Sequence, residues 1–141
     1  MSYLLDTNVV SEWVKPRPDP GGVAWLAEID EDRVFLSVIT LAELRHGIER
    51  MPEGARRHRL DTWLRDELPL RFEGRVLAIN GAVAEAWGKT MARGQAGGRP
   101  IGAMDAFVAA TAEVHRLSLV TRNVSDFVVL GQPIINPWSQ A

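Results

Sequence analysis

An α/β fold with a mostly parallel central sheet is the architecture this sequence predicts. Three observations carry it. Short apolar runs rich in β-preferring residues recur along the chain, helical segments with one apolar face separate them, and no repeat, low-complexity tract or long linker divides the 141 residues. Strands that alternate with helices build βαβ units, whose parallel sheet is covered by helices on both faces. A single domain over residues 1–141 is expected, within the usual length for one core.

The first strand is expected over residues 2–6, and it ends in Asp6-Thr7-Asn8, residue types favoured at a helix N-cap. A short apolar turn and the breaker-rich stretch 16–22 follow, after which Val23, Leu26, Ala27 and Ile29 form a helical pattern. Residues 34–37 read as a second strand. The spacing of Leu41, Leu44 and Ile48 predicts a helix over 39–51, ended by Pro52. A more polar helix over 53–68 carries Leu60, Trp63, Leu64 and Leu68 on one face. A third strand is placed at 75–79, a helix capped by Asn80 at 82–93, and a glycine-rich loop at 94–102. The helix at 103–116 turns Met104, Phe107, Val108, Thr111 and Val114 to its apolar side. Residues 117–121 form the fourth strand and 133–136 the last.

Composition narrows the function. Sixteen basic and eighteen acidic residues leave a formal charge of −2, which excludes a strongly basic nucleic-acid binder and leaves only a local patch for such contacts. Even the Arg-rich segment 44–75 sets eight Arg against six acids. The absence of cysteine excludes a disulfide scaffold, a thiolate zinc site and a cysteine nucleophile. No run approaches the roughly 18 apolar residues of a membrane span, and Asp6 interrupts the N-terminal apolar run too early for a signal peptide. A cytoplasmic protein with no membrane partner is expected. His46, His58 and His115 lack zinc spacing and are expected at the surface. Residues 94–102 lack the terminal Lys-Ser/Thr of a phosphate-binding loop. Trp13, Trp25, Trp63 and Trp87 fall on or near apolar helix faces, as core packing or as part of a partner or dimer interface.

The informative signal is a set of carboxylates in apolar surroundings. Asp6 closes the first strand, at the end where open parallel sheets bind ligands. Glu43 sits among Leu41, Ala42 and Leu44 on the helix after the second strand, and Asp105 is the only charged residue between Arg99 and Glu113. Each has an ordinary reading alone: a helix cap for Asp6, a solvated ion pair for Glu43, a dipole complement for Asp105. Together they would be costly to bury unpaired and would repel one another if the strand ends brought them close. A hard divalent cation, Mg²⁺ or Mn²⁺, removes both penalties and activates water against a phosphodiester.

The order Leu4-Leu5-Asp6-Thr7-Asn8, then Ser37-Val38-Ile39-Thr40-Leu41-Ala42-Glu43-Leu44, then Asp105-Ala106-Phe107-Val108-Ala109-Ala110-Thr111-Ala112, then Val120-Thr121-Arg122-Asn123 resembles the PIN-domain nucleases. Within them it is most similar to the VapC and FitB toxins of bacterial toxin–antitoxin pairs, from Leu4 to the closing Asn136-Pro137-Trp138. The resemblance implies a three-layer α/β/α domain and an endoribonuclease dependent on Mg²⁺ or Mn²⁺. It places metal-binding, catalytic acids at Asp6, Glu43 and Asp105. It also implies an RNA substrate, a cognate antitoxin, contact with DNA only through that antitoxin, and a homodimer. The fourth metal position departs from the pattern, because Asn123 stands where relatives often carry Asp; an amide still accepts through its carbonyl but brings no charge. Asp126 is the nearby acid able to compensate, or else a turn residue.

Around these acids, hydroxyl or amide contacts from Thr7, Asn8 and Thr121 to metal-bound water are expected, with capping as the alternative. Arg45, Arg99 and Arg122 are candidates for the phosphate backbone. Rival classes are a catalytically weakened PIN-like scaffold acting as a binding module with a DNA-binding antitoxin, and an aspartate-based phosphatase or phosphotransfer receiver. The phosphatase wants an Asp where Asn8 stands, and the receiver wants a mid-sheet Asp and a late Lys that are missing.

Overall fold

The computed structural model describes residues 1–140; Ala141, the last residue of the expected domain, lies outside them. Five strands, β1 (Tyr3–Leu5), β2 (Val34–Ser37), β3 (Val76–Leu77), β4 (Ser118–Val120) and β5 (Ile134–Ile135), form one sheet in the order β3-β2-β1-β4-β5. Every pairing is parallel, with Leu4 opposite Phe35 on one side and Leu119 on the other. Successive side chains of a strand face opposite ways. Leu4 and Leu119 accordingly enter one apolar cluster while Leu5 and Val120 enter the other, all four fully buried. Burying a leucine this way contributes about 1.5–3 kcal/mol. Two cores on two faces of one sheet make the three-layer α/β/α arrangement.

Helices α1 (Thr7–Val10), α2 (Pro20–Glu28), α3 (Val38–Glu49), α4 (Ala55–Thr62) and α5 (Leu68–Arg71) precede or flank β2 and β3; α6 (Gly81–Ala96), α7 (Ala103–His115) and α8 (Val124–Phe127) follow. Val9, Val10, Leu26, Ile48, Leu64 and Leu68 fill the first cluster, and Ala106, Val108, Ala109, Ala112 and Phe127 the second.

Three elements differ from expectation. The helix expected from Val23 begins at Pro20, inside the breaker-rich stretch, because Asp19 caps the Gly22 N–H at 2.9 Å and proline is at home in a first turn. Glu12, only 2% exposed, holds that entry in place by accepting from Asp19 N–H and Lys15 Nζ, both at 2.7 Å. The helix expected to end at Leu68 continues to Arg71 through a π-turn over Trp63–Glu67, immediately before Pro69, whose missing N–H interrupts the ladder. The helix expected to stop at Arg93 reaches Ala96, with Gly94 buried inside it. A Cβ at Gly94 would stand 3.0 Å from the Arg99 carbonyl, so the close return of residues 99–101 requires glycine there.

The tryptophans settle as packing residues: Trp13, Trp25, Trp63 and Trp138 lie against the first cluster, and Trp87 against the second, stacked on Phe107 at 5.1 Å. The three histidines are exposed. Among the described residues no helix is long and apolar enough to cross a membrane.

Candidate active site

The strand order reverses beside β1: the chain builds outward through β2 and β3, then returns to place β4 and β5 on the other side. Such a switch point opens a crevice at the carboxyl ends of the strands. Asp6 is the first residue beyond β1 and Thr121 the first beyond β4. Ser37 ends β2 and caps α3 by accepting from Ile39 N–H at 3.0 Å, which launches the helix that carries Glu43. Asp105 lies in the first turn of α7.

Asp6 is 4% exposed and fully engaged. Its Oδ1 accepts from Thr7 N–H at 2.8 Å, and its Oδ2 accepts from Thr121 Oγ1 at 2.8 Å and Asn8 Nδ2 at 3.4 Å. Burial nevertheless pushes its carboxyl above the usual range; the bonds from Thr121 and Thr7 pull it down, while Glu43 and Asp126 push it further up. Glu43 is half-buried and receives the Thr7 hydroxyl on Oε1 at 2.6 Å. Asp105, also half-buried, takes no hydrogen bond among the described residues. Its carboxyl is raised to about 6, first by burial and then by Asp6, Glu43 and Asp126. A helix N-terminus favours the ionised form, so burial, together with the neighbouring acids, outweighs the dipole of α7.

The four carboxylates are coupled electrostatically, but among the described residues no three His, Cys, Asp or Glu side chains come together closely enough to hold a metal ion, and Glu43 lines a separate cavity with Thr7, Lys15 and Trp63. Asp126 is exposed, yet it joins Asp105, Arg99, Ser125 and residues 100–102 in lining a cavity of about 360 Å³. Asn123 is exposed, its backbone N–H donates to Thr121 Oγ1 at 3.0 Å, and its side chain makes no capping bond. Asn8 staples the loop after β4 to the one after β1: its Oδ1 accepts from Arg122 N–H at 3.2 Å. The Arg122 guanidinium lies 5.6 Å from the Trp138 ring centre.

Two expectations need correction. Arg45 is not brought to the acids, because its guanidinium is held by Asp61 at 2.8 Å, with Glu49 at 3.8 Å. The same fate meets much of the Arg-rich segment: Arg57 pairs with Glu49 and Glu53, Arg65 with Asp61. Thr7 and Thr121 direct their hydroxyls at the carboxylates themselves rather than leaving them for water. Sequence offered no signal for that, since both contacts join distant segments.

The PIN domain family profile matches residues 3–128. The chain is 39% identical over 138 residues to VapC ribonuclease Y4jK of Sinorhizobium fredii, covering 98% of this chain and 99% of that protein. It is 36% identical over 135 residues to toxin FitB of Neisseria gonorrhoeae, covering 96% and 97%. The solved structure of FitAB bound to an IR36 DNA fragment superposes with a TM-score of 0.91 at 34% identity, over 96% of this chain and 95% of that one.

Proposed function

The chain belongs to the PIN-domain family, and from that premise we propose that it is an endoribonuclease toxin of the VapC/FitB kind, hydrolysing RNA phosphodiesters with a carboxylate-bound Mg²⁺ or Mn²⁺. The observation that carries the reading is Asp105, half-buried, without a hydrogen-bond partner among the described residues, and facing Asp6 and Glu43. A carboxylate so placed calls for a positive charge.

The donor set fits a hard cation, since all the facing groups are carboxylates. Among the described residues no three His, Cys, Asp or Glu side chains are grouped so as to hold a metal ion by themselves. An ion here would therefore take one or two direct carboxylates and keep several waters, as Mg²⁺ does. When bound, such an ion supplies an activated water and neutralises phosphodiester charge.

This chain's own residues supply the rest. Asp6, Glu43 and Asp105 would hold the ion, one or two of them directly and the rest through its waters. Asp126 serves the fourth position better than Asn123, because it raises both neighbouring acids and lines the same cavity as Asp105. Asn8 and Thr121 fix Asp6. Arg99, which lines the cavity, and Arg122, next to Thr121, meet the RNA backbone. A cognate antitoxin holds the toxin inactive in the cytoplasm, contacts with DNA run through that antitoxin, and the toxin itself is a homodimer. FitAB bound to DNA supports the partner reading.

The test is cleavage of mixed RNA in EDTA, Mg²⁺ or Mn²⁺, with Asp6→Asn and Asp105→Asn alongside. Metal-dependent cleavage lost in both variants, whose circular dichroism is unchanged, is expected. Unaltered cleavage by Asp105→Asn would remove the metal site. Absence of cleavage in every condition would favour the scaffold reading, for which the missing carboxylate at Asn123 is the supporting observation.

A further inference from the structure

Among the described residues, Thr7 alone hydrogen-bonds both Asp6 and Glu43. Its backbone N–H donates to Asp6 Oδ1 at 2.8 Å and its hydroxyl donates to Glu43 Oε1 at 2.6 Å, across 36 positions of sequence. The second bond is short and charge-assisted, the stronger class of hydrogen bond. A hydroxyl has a single proton, and this contact takes it. Thr40 Oγ1, fully buried on α3, lies 3.4 Å from Thr7 Oγ1, longer than an ordinary O–H···O bond. Glu43 Oε2 takes no hydrogen bond among the described residues. The Thr7 carbonyl is occupied separately, by Ser11 Oγ at 2.9 Å, so α1 does not depend on the Thr7 hydroxyl.

We infer that Thr7 is a positioning residue for the metal site. It fixes one oxygen of Glu43 so that the other faces the cation, and it ties that orientation to Asp6 through a single rigid turn. The inference rests on the metal reading above. Outer partners that orient metal ligands typically change metal affinity about 10–100-fold when removed.

The experiment is Mn²⁺ calorimetry on the purified chain with Thr7→Val, Thr7→Ser, Glu43→Gln and the double variant Thr7→Val/Glu43→Gln. Valine keeps the branched shape and the backbone N–H but removes the hydroxyl. Thr7→Val is expected to weaken Mn²⁺ binding about 10–100-fold and Thr7→Ser to restore it. In the Glu43→Gln background Thr7→Val should add little, because both changes remove the same coupling. Thr7→Val binding Mn²⁺ like the wild type, losses that add in the double variant, or serine failing to rescue a folded protein would each overturn the inference. A role confined to stability would lower the melting temperature in EDTA and leave the Mn²⁺ affinity unchanged, which also overturns it. A wild-type chain that binds no Mn²⁺ overturns the metal reading itself, a distinct outcome.

Discussion

Thr121 Oγ1 donates to Asp6 Oδ2 at 2.8 Å, joining residues 115 positions apart. The bond ties the carboxyl ends of β1 and β4 together at the point where the strand order reverses. Thr121 is fully buried, and its oxygen also accepts from Asn123 N–H at 3.0 Å. One hydroxyl therefore stabilises the buried charge of Asp6 and fixes the loop that carries Asn123 and Asp126.

Thr121→Val is expected to destabilise the protein by about 1.5–3 kcal/mol, the usual worth of a hydrogen bond to a charged group, with Thr121→Ser retaining most of it. Urea denaturation measures this. An unchanged midpoint in the valine variant would mean that Thr7 N–H and Asn8 suffice for Asp6.

Stability should fall as pH rises in the metal-free protein. The Asp105 carboxyl is raised from an ordinary 3.8 to about 6, so between those values the native state holds more protons than the unfolded one. The slope of stability against pH is then negative. The penalty on the ionised carboxyl, burial first and repulsion second, is absent below about pH 4 and fully present well above about pH 6, and the raised Asp6 adds in the same direction. Melting temperatures in EDTA across this window should decline with pH, and Asp105→Asn should flatten the decline. A flat wild-type profile would show that neither burial nor the neighbouring acids raise the Asp105 carboxyl.

At the fourth position the two candidates separate by metal affinity. Mg²⁺ dehydrates reluctantly, so a site short of one carboxylate at Asn123 should work better with Mn²⁺. Asp126→Asn is expected to weaken Mn²⁺ binding and cleavage together. Asn123→Asp should improve the Mg²⁺ reaction, most visibly at high metal concentration. Full Mn²⁺ affinity in Asp126→Asn, measured by calorimetry, would return the fourth position to Asn123.

Glu12→Ala should cost about 1.5–3 kcal/mol, since it removes a buried carboxylate that accepts from Asp19 N–H and Lys15. Glu12→Gln, still able to accept from Asp19, should fall between. RNA cleavage per folded molecule should not change in either, which separates this acid from those of the site.

The sequence by itself determined the layer order, because strand and helix periods are local properties: Leu4 and Leu5, adjacent in the chain, already specify two faces and hence two cores. It also marked Asp6, Glu43 and Asp105, since a charge within an apolar run is visible without knowing its neighbours. Helix ends were less legible. Pro20 and Gly94 carry breaker chemistry, yet the Asp19 cap and the return of residues 99–101 made both helical. Only the tertiary structure decided which side chains serve the acids. Thr7 and Thr121 resemble any other capping threonines until the parallel sheet sets β1 beside β2 and β4, and Arg45 resembles a phosphate ligand until α4 offers it Asp61. Hydrogen bonds and ion pairs depend on distances of a few ångströms between residues far apart in sequence, and no local pattern encodes them.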